Sequence, residues 1–164
     1  MVSDPEESGT TFLENARIKA RAAHELACAA VLADDSGLIV DALDGAPGVY
    51  SSRYSGVDGD DSANNAKLLR ELSAVPLAKR TARFASVLVF IDEDGLETVA
   101  EGFVEGHIGL VERGEHGFGY DPLFFPDAYN GEVTMAELTQ SQKNAISHRG
   151  NALRELRKKL HPSD

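Results

Sequence analysis

At 164 residues, with 42% hydrophobic content and a formal net charge of −11, the chain has the size and composition of one globular domain with a buried core. The negative charge repels polyanions at long range, so we expect no nucleic-acid partner, although a small nucleotide neutralised by Mg²⁺ stays compatible with it. A single cysteine, an acidic start and the lack of an apolar run of about 18 residues predict a soluble cytoplasmic protein without disulfides or membrane contact.

The first predicted element is a helix that begins at Thr11. Thr11 and Glu14 have the spacing of a capping box, in which the hydroxyl accepts from the amide of the later residue and the carboxylate reaches back. Apolar residues then recur at helical spacing, which predicts that one face of the helix packs closely on a sheet. These residues are Phe12, Ala16, Ala20, Ala23 and Ala27.

Two adjacent carboxylates, Asp34 and Asp35, follow the apolar run at residues 29–32 and precede Ser36 and Gly37. We predict that a strand ends just before them and that a second short strand forms at residues 38–40. The carboxyl ends of strands are where α/β proteins bind ligands, and Mg²⁺ is held by one or two carboxylates together with substrate phosphates. A solvated turn explains the same residues equally well, because Asp, Ser and Gly also dominate turns.

The middle of the chain predicts a helix and a hairpin. Asp61 and Ser62 can cap a helix. Residues 83–91 form the strongest predicted strand, and residues 92–95 turn it into a returning strand at 96–100. Because this hairpin lies beside strands that are joined through helices, the sequence predicts a mixed sheet.

The stretch at residues 114–126 combines glycines with aromatic side chains. Glycines at 117 and 119 let the backbone approach a ligand closely, while Phe118 and Tyr120 offer rings for stacking on a base. A glycine-rich loop with aromatic residues packed beneath it explains the pattern without any ligand, and from this stretch alone that structural role is favoured.

The C-terminal part predicts a short helical stretch followed by a final helix. Lys143 and the pair His148 and Arg149 lie at the predicted helix junction, where donors can converge on a phosphate or a purine edge. The basic residues further along the last helix are typical of a solvated helix face.

Five segments of the chain together resemble the inosine triphosphate pyrophosphatase family, whose members remove non-standard purine nucleoside triphosphates. The segments occur in the family's order across almost the whole chain, so their combination is specific although each is weak alone. They are residues 9–16, 33–38, 45–54, 117–122 and 145–150.

The resemblance implies an α/β fold with a mixed central β-sheet, flanking helices and two lobes around an active-site cleft, in one domain over residues 1–164. It also implies Mg²⁺-dependent hydrolysis of ITP, dITP and XTP to the monophosphate and pyrophosphate by a homodimer.

The matched motifs also imply site residues. The resemblance gives Asp35 the role of general base, activating water for attack at the α-phosphorus, and a share in metal binding. It makes Glu6 the second metal ligand, with Glu7 as the alternative because the doublet leaves the register open. The implied substrate contacts are Ser36, then Phe118, Gly119, Tyr120 and Asp121 for the base and sugar, and Lys143, His148 and Arg149 for the purine edge.

One difference from the family lies at the start of the chain. The family usually opens with a strand, a Thr/Ser-Gly-Asn-x-x-Lys loop that grips the triphosphate, and a helix, whereas this sequence begins just before the family's acidic doublet. Relative to the family the chain is N-terminally incomplete, so we expect weak binding of IMP or ITP and slow turnover. The alternative to an enzyme is a nucleotide-binding module or inactive subunit that lacks the triphosphate loop.

Overall fold

The structure of the protein, a computed structural model, describes residues 5–162. Within them the strands pair in one sheet in the order β1-β2-β3-β4, and β4 lies antiparallel to β3 with His107 opposite Phe125. The predicted α/β class is confirmed. The helices and strands are α1 (Phe12–Ala27), β1 (Val31–Val40), α2 (Asp61–Glu71), β2 (Thr81–Ile91), β3 (Glu97–Ile108), β4 (Phe124–Pro126), α3 (Gln140–Ile146) and α4 (His148–Leu160).

The predicted hairpin of β2 and β3 is confirmed, and both strands are longer than expected. Residues at most positions of β2 are buried whichever way they point, as expected for an apolar strand inside a sheet, whereas β3 alternates between buried and exposed from Ala100 onward. Among the described residues no helix is long and apolar enough to span a bilayer.

The predicted strand end at Asp34 is wrong, because β1 continues through both carboxylates. Asp35 is buried, while Asp34 and Ser36 on either side of it are partly exposed. Side chains alternate across a strand, so one carboxylate of the pair points inward and its neighbour points outward. The two carboxylates therefore lie in different environments, Asp35 buried and Asp34 partly exposed.

Helix α1 begins as predicted. The Thr11 hydroxyl accepts from the Glu14 amide at 3.1 Å, while the Glu14 carboxylate accepts from the Thr10 amide at 2.6 Å. Ala16 and Ala20 are fully buried against β2, but Ala23 and Ala27 are exposed, so the close packing is limited to the first half of the helix.

The chain forms two compact units. Among the described residues, unit 1 takes residues 5–36, 85–103 and 148–162, and unit 2 takes residues 37–84 and 104–147. Each unit has its own apolar core: α1 and α4 pack on strand residues in unit 1, and Leu68, Phe84 and Phe124 are buried together in unit 2. The assignment of residues 1–164 to one pyrophosphatase domain stays a prediction.

Candidate active site

In unit 1, strand β1 buries Asp35. Its side chain and backbone together are 8% exposed. The Oδ1 atom lies 3.3 Å from Lys19 Nζ, and within residues 5–162 the buried Oδ2 atom has no hydrogen-bond partner. A buried carboxylate oxygen without a donor is costly, and it can accept a proton or bind a cation.

Lys19 joins Asp35 to a second carboxylate. The ammonium also lies 3.2 Å from Glu7 Oε1, so one cation stands between two acids. Glu6 is exposed and is not among the groups that act on the Asp35 carboxyl. The structure thus brings Glu7, the alternative of the doublet, to Asp35, and it does not bring Glu6 there.

Burial is the largest influence on the Asp35 carboxyl, and it raises the pKa above the ordinary aspartate value. The negative charge of Glu7 adds to the rise, while the positive charge of Lys19 and the hydrogen-bonding side chains of Lys19 and Asn15 oppose it. The result is a carboxylate of higher basicity than one in water, which is the direction that general-base chemistry near neutral pH needs.

Two residues of α1 support this acidic cluster and were missed in the sequence. Asn15 is fully buried, and its Oδ1 accepts from the Gly9 amide at 2.8 Å, which anchors the segment that follows Glu7. Lys19 lies one turn further along, on the same side of the helix as Asn15. This polar pair at i and i+4 beside the alanine face is the signal that the sequence offered.

Arg149 links the start of α4 to β1 within unit 1. Its Nε donates to Asp34 Oδ2 at 3.0 Å and its Nη2 donates to Ser36 Oγ at 3.2 Å. The outward carboxylate therefore holds an arginine beside the predicted substrate contact Ser36. His148 lies at the first position of α4 and is half-buried.

In unit 2, a lysine lies over an exposed aromatic ring. Lys143 Nζ is ion-paired with Asp121 Oδ2 and lies 4.4 Å from the centroid of the Phe118 ring. The same Asp121 oxygen accepts from the Phe118 amide at 3.1 Å, and Asp121 is only 4% exposed while Phe118 is 63% exposed. A buried carboxylate thus fixes both the cation and the backbone of the residue that carries the ring.

The ring of Tyr120 has a different place from the one predicted. Tyr120 is 4% exposed and packs in the core of unit 2, and its hydroxyl donates to the Ser51 carbonyl at 2.6 Å. Burial raises the pKa of this phenol well above its usual value. Of the two rings predicted to stack on a base, the structure exposes only Phe118, and Tyr120 anchors the loop.

Gly119, which lies between Phe118 and Tyr120, is held by two side chains of α2. Its amide donates to Asp61 Oδ2 at 2.9 Å and its carbonyl accepts from Asn65 Nδ2 at 3.0 Å. These residues and Phe118 line a cavity of about 230 Å³. The sequence assigned Asp61 to helix capping, but the cap of α2 is Asp60, which accepts from the Ala63 amide at 3.0 Å.

Lys143, His148 and Arg149 were predicted to converge at a helix junction. The junction exists, since α3 ends at Ile146 and α4 begins at His148. Lys143 belongs to unit 2 with Asp121, whereas His148 and Arg149 belong to unit 1. Each is therefore placed with the cluster of its own unit.

Within the part of the chain that the structure describes, no three residues of the types His, Cys, Asp and Glu come together as a metal cage. Asp35 and Glu7 form an acidic pair around Lys19. Such a pair suits a cation that takes one or two carboxylates from the protein and completes its shell with water and substrate oxygens.

Comparison with known proteins gives the family. The model of the Ham1 family matches residues 1–159. This chain belongs to the Ham1 family. A dITP/XTP pyrophosphatase of Oceanobacillus iheyensis is 53% identical over 161 residues, which cover 98% of this chain and 80% of that protein. A dITP/XTP pyrophosphatase of Nitratidesulfovibrio vulgaris is also 53% identical, with 94% of this chain and 77% of the relative covered.

Solved structures of Ham1 proteins share the fold. The Staphylococcus aureus Ham1 protein superposes with a TM-score of 0.89 at 44% identity, covering 96% of this chain and 80% of that one. A nucleoside-triphosphatase / dITP/XTP pyrophosphatase of Mycobacterium abscessus gives 0.82 at 46% identity, with 99% and 80% covered. The family match confirms the resemblance found in the sequence, and these relatives confirm the prediction of a hydrolase class that acts on phosphoric anhydrides.

Proposed function

We propose that this Ham1 chain hydrolyses purine nucleoside triphosphates with a deaminated base, namely ITP, dITP and XTP, to the monophosphate and pyrophosphate. The observation that carries the proposal is the buried Asp35 carboxylate, which has one oxygen on Lys19 and the other without a hydrogen bond of ordinary geometry among the described residues. The names of the relatives support the substrate class, and nucleotide-pool cleaning is the activity that such hydrolysis performs.

Asp35 acts as the general base. Lys19 holds one carboxylate oxygen in place, so the other is oriented for a water proton, and the raised pKa of Asp35 makes it a better proton acceptor. Attack of the water oxygen on the α-phosphorus breaks the bond to the bridging oxygen, and pyrophosphate leaves with the bonding electrons. The abstracted proton stays on Asp35 until it passes to solvent.

The carboxylates of Asp35 and Glu7, which both pair with Lys19, fit a hard divalent cation, and we propose Mg²⁺ with these two residues as its protein ligands. When bound, the cation supplies positive charge to the phosphate oxygens in the transition state. Lys19 keeps the two carboxylates from repelling each other before a cation arrives, since it pairs with both.

Recognition of the base rests on Phe118 and Lys143 in unit 2. The exposed ring offers a stacking face, and the Lys143 ammonium beside it can donate to a carbonyl but not to an amino group. Hypoxanthine and xanthine present a carbonyl at the purine 6-position where adenine presents an amino group. An unmade buried hydrogen bond costs about 1–3 kcal/mol, so this one contact favours ITP over ATP by roughly five- to 150-fold.

Release of pyrophosphate tests the proposal. The chain is incubated with Mg²⁺ and ITP, dITP, XTP, ATP or GTP, and pyrophosphate and orthophosphate are measured separately, with EDTA and the Asp35→Asn variant as controls. We expect pyrophosphate from the three deaminated substrates and none with EDTA. Orthophosphate as the primary product would show a different phosphatase chemistry. If no triphosphate is hydrolysed, IMP binding is measured by calorimetry, and binding without turnover would show a nucleotide-binding module.

We propose a homodimer, which light scattering at micromolar concentration tests against the 17.6 kDa mass of one chain. The cytoplasmic location stays a prediction from the sequence.

A further inference from the structure

The loop that carries Phe118 has a backbone with unusual freedom. Gly114, Gly117 and Gly119 all have positive φ angles, of 91°, 80° and 60°. Glycine visits this region without the steric penalty that other residues meet, so it also loses the most conformational freedom when it is ordered. A loop of this composition keeps one shape only if other groups hold its peptide units.

Helix α2 supplies such groups at Gly119. Asp61 and Asn65 are four residues apart and hence on one side of the helix, and they hold the amide and the carbonyl of the same glycine at 2.9 and 3.0 Å. Asn65 is 3% exposed, and its orientation is fixed because only Nδ2 can donate to the Gly119 carbonyl. We call this arrangement, Asp61 and Asn65 on Gly119, the glycine clamp.

The glycine clamp lies next to Phe118, the residue that is proposed to stack on the base. Phe118 precedes Gly119 directly, and its own amide is held by Asp121, which also holds Lys143. Tyr120, on the other side of Gly119, is anchored in the core through Ser51. The peptide units from 118 to 120 are thus fixed by side chains, and only the Phe118 ring extends into solvent.

We propose that Asp61 and Asn65 are positioning residues for base recognition: by clamping Gly119 they hold the Phe118 ring and its Lys143 neighbour in the arrangement that accepts a deaminated purine. This inference rests on the proposed function, of which it names a further determinant. Ordering a loop on binding lowers affinity, so a preordered loop strengthens binding without touching the reacting atoms. Loss of the clamp therefore raises KM and the dissociation constant of IMP, and leaves kcat nearly unchanged.

The first test needs no substrate. The chain has no tryptophan and four tyrosines, so Phe118→Trp provides a single tryptophan that can be excited selectively, and its time-resolved anisotropy reports the loop's order. We expect Asp61→Ala, added to this reporter, to increase the fast loss of anisotropy, and Asp61→Asn to restore it, because the asparagine oxygen still accepts from the Gly119 amide. Asn65→Asp, which keeps the shape but replaces the donor by an acceptor, has the same effect as Asp61→Ala.

The control is Asp60→Ala. Asp60 caps α2 through the Ala63 amide and makes no bond to Gly119, so this variant lowers the stability of the helix without releasing the clamp. It should lower the melting temperature and leave the anisotropy of the reporter unchanged. If Asp60→Ala and Asp61→Ala loosen the loop equally, the effect comes from the helix and the clamp proposal is overturned.

The second test uses ITP hydrolysis with the natural Phe118. We expect Asp61→Ala to raise KM about five- to tenfold, the loss of one hydrogen bond, with kcat within about twofold. Asp61→Asn should return KM to near the wild-type value. A fall in kcat at unchanged KM would overturn the positioning role. If the wild-type chain hydrolyses none of the triphosphates, the proposed function fails, and the anisotropy experiment still decides whether the clamp orders the loop.

Discussion

At Asp35, basicity and stability oppose each other. Burial raises the pKa of the carboxyl because the charged form loses water, and the same loss of water makes the ionised residue unfavourable in the folded state. Lys19 and Asn15 offset part of this cost, and Oδ2 accepts no hydrogen bond of ordinary geometry among residues 5–162. The proposed general-base role would account for a buried carboxylate that burial makes unfavourable.

Asp35→Asn separates the two effects in activity. The amide keeps the shape of the side chain but accepts no proton and carries no charge for a cation. We expect kcat for ITP to fall by at least 10², the lower end of what general-base catalysis contributes. Asp34→Asn on the outward side of the same strand is the matched control and should cost less, because Asp34 contacts Arg149 and not Lys19. Near-normal turnover in Asp35→Asn would disprove the general-base role.

The same variant should be more stable than the wild type at neutral pH. Because the folded-state pKa of Asp35 is raised, the protonated residue favours the folded state. This contribution to stability is fully present at pH values below the ordinary aspartate pKa, and it is lost as the pH rises through the folded-state pKa. Thermal unfolding in EDTA should give a higher melting temperature for Asp35→Asn at pH 7.5, with the difference shrinking towards pH 3. A lower melting temperature at pH 7.5 would show that the Lys19 contact outweighs burial.

The acidic doublet offers a matched pair of variants. Glu7 is half-buried and pairs with Lys19, whereas Glu6 is exposed. We expect Glu7→Gln to raise the Mg²⁺ concentration for half-maximal activity about tenfold or more, since loss of groups around a metal typically costs 10- to 100-fold. Glu6→Gln should leave it unchanged. The reverse result would favour the register that the sequence motif first suggested.

At the scale of elements, the sequence predicted what local chemistry determines. The cap at Thr11 and the hairpin turn at residues 92–95 both depend on neighbours within a few residues, and the structure has both of them. Strand β1 was mispredicted because Asp, Ser and Gly disfavour strands locally. Pairing within the sheet overrides that preference.

The candidate site was predictable to the extent that motifs carry it. Asp35 and Phe118 could be named, but Lys19 contacts Asp35 from 16 residues away and Asn65 contacts Gly119 from 54 away. Those distances along the chain are set by how the helices pack. Neither contact has a local sequence signal strong enough to predict it.

Close packing of α4 on β3 gives a prediction for Gly102. A Cβ at this position would lie 2.8 Å from Ala152 Cα and would overlap the backbone of His148. Gly102→Ala should lower the free energy of unfolding by about 1–3 kcal/mol, as overpacking does, and should weaken activity because α4 carries Arg149. Glu101→Ala, exposed on the same strand, is the control and should stay within about 0.5 kcal/mol in thermal unfolding.

At the scale of the whole molecule, charge limits how an anionic substrate approaches. The chain carries a net charge of −11. The three cations described at the candidate site already have acidic partners: Lys19 pairs with Glu7 and Asp35, Lys143 with Asp121, and Arg149 with Asp34. With all groups ionised, two carboxylates against one ammonium leave the Asp35 cluster with one net negative charge. A divalent cation is what reverses that sign.

This balance predicts how salt affects the reaction. A negatively charged protein and a negatively charged substrate repel each other over about a Debye length, which is about 10 Å at 0.1 M salt and about 30 Å at 0.01 M. A Mg²⁺-bound triphosphate is still negative, so screening should help it reach the protein.

At fixed free Mg²⁺, we expect kcat/KM for ITP to rise a few-fold between about 0.01 and 0.1 M NaCl. The value of kcat at saturating ITP serves as the internal control and should change little, because encounter is then no longer limiting. A steep fall of kcat/KM over the same range would show that unpaired positive charge steers the substrate, and the paired state of Lys143 and Arg149 would not describe the protein in solution.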